Sequence, residues 1–264
     1  MPAIDLLRLR QQVARLSEFF FLPAEFVKHL RALLEMYHNP TLRPTQASTP
    51  LSLFSYRTPP MVLRAIEQEL RELAVSYPEY ALELADALWK EEVLETRLLA
   101  AFLLGQIPPR EEWLLARLMA WSNQVRDAQL RTMLLENGLE RMRRETPQLF
   151  LSLIAEWLNP QRPQLWENAL QALIPLLEDK DFENFPPIFN LLRPVLEHAS
   201  PMIQNEIAAV LEHLLRRVPH ETVFTFRQWL VEAGPQSGLW RTLRRLLPLL
   251  SPAAQQLIGP LVRR

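Results

Sequence analysis

Cysteine is absent from this chain of 264 residues. That excludes a disulfide framework, a thiolate metal site and a cysteine nucleophile together, and it makes a reducing cytoplasm the expected compartment. Glycine is nearly as scarce, with five residues at 105, 138, 234, 238 and 259, too scattered for a phosphate cradle or a dinucleotide fingerprint. Nucleotide hydrolysis is thereby removed, and an architecture built on many tight hairpins is disfavoured. No GxSxG elbow is present, so hydrolase-type serine chemistry has no support. The five histidines, at 29, 38, 198, 213 and 220, form no HExxH pair, and His213 and His220 are two helical turns apart, beyond ordinary metal-ligand spacing. Neither a metal nor another cofactor is expected. Between Met1 and Arg15 the apolar residues are interrupted by Asp5, Arg8 and Arg10, so neither a signal h-region nor a membrane span is expected.

What the chain does have is helical periodicity punctuated by proline. Its hydrophobic content of 48% is enough for a substantial core, and its 23 prolines recur at junctions. Leu6, Leu7, Val13, Leu16, Phe19 and Phe20 share one face of a first helix, and Phe26, Val27, Leu30, Leu33, Leu34 and Tyr37 share a face of a second after Pro23. Residues 1–37 therefore predict a helical hairpin. From 38 to 58, Pro40, Pro44 and Pro50 with several Ser and Thr predict a loop or linker. Residues 59–264 predict further helices near 60–76, 78–89, 92–105, 111–122, 126–145 with a break at Gly138, 147–158, 164–178, 184–197, 201–217, 220–232 and 238–250. Pro78, Pro108, Pro147, Pro163, Pro187, Pro201, Pro219 and Pro235 fall where helices start or stop, because proline lacks the amide and fixes φ. Two helices and their turns recur about every 35 to 45 residues. That period predicts an all-α fold, a right-handed α-α superhelix of HEAT type made from antiparallel helix pairs, present as a monomer. An irregular helical bundle is the alternative.

The net charge of −1 hides segregation. Residues 1–58 hold 7 basic and 4 acidic groups, residues 59–110 hold 5 and 9, and residues 201–264 hold 8 and 4. Arg far outnumbers Lys, which suits bidentate contacts to phosphate or carboxylate and follows equally from base composition or thermal adaptation. Arg141, Arg143 and Arg144 precede Pro147, Arg216 and Arg217 precede Pro219, and Arg241, Arg244 and Arg245 share one helix. In a solenoid such clusters line one wall and follow a phosphate backbone; as cations at helix C-termini they also complement the macrodipole. Of the seven Trp, 121 and 166 adjoin polar runs and are candidate exposed stacking surfaces, the others core. Glu91, Glu92 and Glu95 at one junction, and Asp179, Asp181 and Glu183 at another, are expected to complement helix dipoles.

The stretch Ala81–Gly105, with Trp89 closing one helix and Glu95 opening the next, resembles an early repeat of the AlkD-like DNA alkylation repair family, HEAT-like DNA glycosylases that remove N3- and N7-alkylated purines. Tyr56-Arg57-Thr58-Pro59 is similar to the segment that leads into that family's first repeat, and Met202-Ile203-Gln204-Asn205 with Ile207 and Leu211 is similar to its late helix. The resemblance implies a basic groove in which two Trp pack on the lesion's deoxyribose. An Asp there stabilises the positive charge that develops as the glycosidic bond breaks. Asp127 is the candidate carboxylate and Trp121 its candidate partner, but the chain departs from the family's pattern. Asn123 stands where a Trp is expected four residues before the Asp, and Trp121 lies six before, on another side of a helix. Ala209 occupies the second Trp position and Asn168 that of an Arg shortly after Trp166.

Two functions follow as expectations. One is an alkylation-repair relative that binds double-stranded DNA through Arg143, Arg144, Trp166, Arg216, Arg217, Arg241, Arg244 and Arg245, with weak or lost excision. The other is a protein-interaction scaffold, suggested by the acidic middle of the chain.

Overall fold

In a computed structural model, which describes residues 5–38 and 53–262, helix follows helix almost without interruption. The helices are α1 (Leu6–Ser17), α2 (Pro23–Met36), α3 (Pro60–Ser76), α4 (Pro78–Lys90), α5 (Leu94–Gln106), α6 (Glu111–Gln124), α7 (Ala128–Thr132), α8 (Glu140–Glu145), α9 (Pro147–Trp157), α10 (Trp166–Glu178), α11 (Pro186–His198), α12 (Gln204–Arg217), α13 (Pro219–Ala233), α14 (Gly238–Leu246) and α15 (Pro252–Val262). Among the described residues there is no strand, only an isolated parallel bridge between Phe54 and Val93. No described helix is long and apolar enough to cross a membrane. Proline occupies the first turn of α2, α3, α4, α11 and α13, where its missing N–H would lack a partner anyway.

Two expectations about helix extent are refined. The stretch 126–145 does break at Gly138, where a turn over 138–139 precedes α8, but it opens only after Asp127, and Met133–Asn137 wind as a π-helix. After residue 250 a further helix, α15, closes the chain. Of the expected linker, residues 39–52, including Pro40, Pro44 and Pro50, lie outside the described residues.

The chain divides into two compact units, Met1–Leu149 and Phe150–Arg264. In the first, α1 packs on α3 and α2 on α4, so the N-terminal hairpin joins the hairpin that follows it. At its centre lies α5, whose sequence has no polar face; the run Leu98–Gly105 is buried throughout, as expected of a helix that is apolar all round. It packs against α3, α4 and the π-helical segment. In the second unit α10 packs on α12, α11 on α14, and α13 on α12 and α15, around fully buried Trp157, Phe150 and Phe226.

Gly105 explains how closely α5 meets its neighbour: a Cβ there would lie 2.1 Å from the carbonyl oxygen of Asn137. Substitution Gly105→Ala must push two backbones apart. We expect a loss of about 2 kcal/mol or more in urea unfolding, in place of the roughly 1 kcal/mol that Ala ordinarily gains over Gly in a helix.

Glu67 on α3 is half-buried, and burial pushes its carboxyl above the usual carboxylate range, with Arg71 and Arg64 opposing. A carboxyl raised in the folded state favours folding fully below its unfolded pKa, and that contribution is lost as pH rises through the folded pKa. Glu67→Gln should therefore raise the Tm at neutral pH. It should leave the Tm unchanged near pH 3, below the ordinary Glu value of about 4.3.

Candidate nucleic-acid interface

Asp127 is placed by a chain break. Helix α6 ends at Gln124, Val125 and Asp127 are extended, and α7 starts at Ala128. The half-buried Asp127 side chain caps α7, its Oδ1 accepting from the Leu130 amide at 2.9 Å. An aspartate is among the best residues for this position, since it satisfies an amide left open at the helix start. Trp121 and Asp127 are thus not on one helix, and the helical phase expected between them does not apply.

Trp121 and Trp166 are not exposed stacking surfaces; each is only 5% exposed. The Trp121 ring stacks on Trp89 with centroids 4.1 Å apart and planes within 2°. Trp89 in turn donates from Nε1 to Gln124 Oε1 at 3.0 Å and lies 5.2 Å from the Arg97 guanidinium. Trp166 donates from Nε1 to the Asn159 carbonyl at 3.1 Å. A buried indole gains most from packing and needs one acceptor; Trp89 and Trp166 each have one, and Trp121 is held by stacking on Trp89.

The arginines divide into two groups. Arg217 donates to the carbonyls of Leu177, Asp179, Lys180 and Phe182, closing the C-terminus of α10 and its following turn. Arg143 donates to the carbonyls of Leu135 and Glu136 in the π-helical segment. Arg244 donates to the Val262 carbonyl at 3.2 Å, its guanidinium 5.6 Å from the Trp240 ring centre. Arg144, Arg216, Arg241 and Arg245 are exposed, and Arg244 is too despite its bond to Val262. The expected basic set therefore contains side chains that satisfy backbone acceptors and others that face solvent.

A different junction carries the most buried carboxylate among the described residues, and reading the acidic residues there only as dipole partners missed it. Glu95 is 2% exposed. Its Oε1 accepts from Ser55 Oγ at 2.8 Å and from the Thr58 amide at 3.3 Å, while Oε2 and the buried Thr58 Oγ1 have no partner. Burying a carboxylate costs several kcal/mol unless hydrogen bonds compensate. Phe54 ties the same segment down, its amide donating to Glu92 and its carbonyl accepting from Leu94. Glu91 pairs with Arg31, whose pKa is raised by that hydrogen bond. Only the extended segment's return onto α5 distinguishes Glu95 from its neighbours, and local spacing does not reveal it.

Among the described residues no group of three or more His, Asp or Glu is arranged to hold a metal ion.

A model described as DNA alkylation repair enzyme matches residues 56–226. The chain belongs to that family. No curated protein and no solved structure gives a significant match. The matched stretch runs from Tyr56 into α13 and takes in both the junction at Glu95 and the one at Asp127. At the three positions where the sequence departs from the expected pattern, Asn123 is exposed, with its carbonyl accepting from Arg126. Ala209 is half-buried, its carbonyl 2.7 Å from His213 Nδ1, and Asn168 is buried.

The cap separates two roles of Asp127 by experiment. Asp127→Asn keeps a capping oxygen and should leave stability unchanged, whereas Asp127→Ala should lower it by about 1 kcal/mol, measured by urea unfolding.

Proposed function

We propose that this DNA alkylation repair family member binds nucleic acid and has weak or lost alkylpurine excision. The helix pairs of each unit act as HEAT-like repeats, and the exposed Arg144, Arg216, Arg241 and Arg245 supply phosphate contacts. The observation that carries the reading is the environment of Asp127. Its carboxylate is engaged as a helix cap, Trp121 is covered by Trp89, and Asn123 stands where an aromatic ring would be needed. A carboxylate stabilises a developing oxocarbenium ion only when the sugar is held against it, and of the two positions read as holding it, one is Asn123 and the other is the covered Trp121.

A protein-interaction role is the second reading, favoured by one separate feature of the first unit. Phe21, Tyr77 and Tyr80 are exposed and meet edge to face, with centroids 5.0 and 5.1 Å apart. Exposed apolar clusters of this kind mark contact surfaces.

Single-turnover incubation with duplex DNA carrying 7-methylguanine tests excision. Base release should stay at or close to the rate of the uncatalysed control for both the native chain and Asp127→Asn; robust release that Asp127→Asn abolishes would overturn the proposal. Retention on DNA-cellulose that falls steeply with salt supports nucleic-acid binding, and no retention at low ionic strength supports the scaffold.

A further inference from the structure

The first unit carries a group of exposed aromatic rings for which the chain supplies no cation. Phe21, in the turn between α1 and α2, meets Tyr77 and Tyr80 edge to face where α3 gives way to α4. The buried Phe20 backs it, also edge to face, with centroids 5.2 Å apart. Phe21, Tyr77 and Tyr80 are 42, 46 and 45% exposed, and their sequence neighbours Leu22 and Val75 are exposed as well. Other rings of this protein take an arginine: Arg71 lies over Phe102, Arg97 over Trp89, Arg193 over Trp229 and Arg217 over Phe185. Among the described residues no guanidinium or ammonium lies over Phe21, Tyr77 or Tyr80.

The charge around these rings is negative. Glu79 stands between the two tyrosines in the first turn of α4, Glu83 follows one turn later, and Glu18 precedes Phe21 by three residues. Ser17 Oγ donates to Glu69 at 3.2 Å, which brings α3 alongside the end of α1, and Glu72 is one turn further toward Tyr77. Glu18, Glu72, Glu79 and Glu83 are exposed, and none is in an ion pair among the described residues. Of the basic groups nearby, Lys28 is already paired with Glu25 at 3.2 Å, which leaves Arg15, one turn before Glu18, to oppose the carboxylates. A net negative rim repels a phosphate backbone or an anionic lipid surface. Open ring faces beside unpaired carboxylates suit the opposite charge, since an arginine or lysine can rest on an aromatic ring while its charged head meets an acid.

We propose that this surface docks a basic peptide segment of a partner protein. Arginine or lysine side chains of the segment rest on Phe21, Tyr77 and Tyr80 and pair with Glu18 and Glu79, and its apolar side chains cover Leu22 and Val75. The proposal rests on the protein-interaction reading above and adds to it the chemistry of the partner.

The test titrates the full chain, at physiological ionic strength, into a fluorescein-labelled peptide that alternates Arg and Leu, read by anisotropy. Peptides of equal length with Gln or Glu in place of Arg serve as comparison. Only the Arg peptide should bind. The double variant Phe21→Ala with Tyr80→Ala should weaken that binding about tenfold, and Glu79→Gln about threefold. Glu221→Gln, which removes the equivalent first-turn carboxylate of α13 in the second unit, should leave it unchanged. Circular dichroism checks the fold, and Tyr80→Ala alone decides if the double variant does not fold. Arg-peptide binding that is indifferent to both the rings and Glu79 overturns the proposal. Equal binding of the Gln peptide, lost in the double variant, also overturns it and leaves the protein-interaction reading standing, as does self-association of the native chain that the double variant abolishes. No peptide bound and no self-association overturns both.

Discussion

The first unit depends on the close approach of α5 to the backbone of residues 133–138. With Leu98–Gly105 buried throughout, α5 can stand only inside a shell of other helices, and Gly105 lets the Asn137 carbonyl come where a side chain would be. The segment it meets is π-helical, with Gly138 N–H reaching the Met133 carbonyl five residues back. The Leu135 and Glu136 carbonyls of that segment accept from Arg143. Packing at a glycine, a local change of helix type and the capture of an arginine are thus links of one chain. Arg143, with the look of a phosphate ligand, is engaged by backbone carbonyls.

That pattern extends to the other basic positions. A helix C-terminus leaves carbonyls without intrahelical donors, and arginine, with five donors on one planar group, can satisfy several at once. Arg217 does so for four carbonyls, and Arg97 for those of Trp89 and Glu91; burial lowers the Arg97 pKa. Arg117 instead forms a two-pronged pair with Asp86, whose hydrogen bond raises the Arg117 pKa. Arginine-rich clusters in a helical chain are therefore of mixed meaning. Arg144, Arg216, Arg241 and Arg245 are instead exposed, with Arg144 4.0 Å from Glu145. The same division separates the acids: Asp127 and Glu95 both bind backbone amides, yet one is half-buried at a helix start and the other sealed beneath an extended turn.

Helix positions were largely legible in the sequence because proline and apolar spacing act locally. A missing amide at Pro23, Pro60, Pro78 or Pro219 opens a helix whatever lies nearby. The Trp89–Glu95 junction and the Tyr56–Pro59 turn were legible for the same reason, and they carried the family resemblance that the match over 56–226 bears out. The break between α6 and α7 was legible as well, between the helices expected at 111–122 and 126–145, although no proline or glycine marks it.

The sequence by itself determined an all-helical chain, its punctuation and its family, since each depends on short-range sterics or on patterns within a few turns. Only the tertiary structure decided that Trp121 faces Trp89, that Arg217 serves the end of another helix, and that Glu95 holds a turn some forty residues earlier. Those outcomes depend on which distant surface arrives to cover a side chain, and burial of that kind leaves no local mark on residue order.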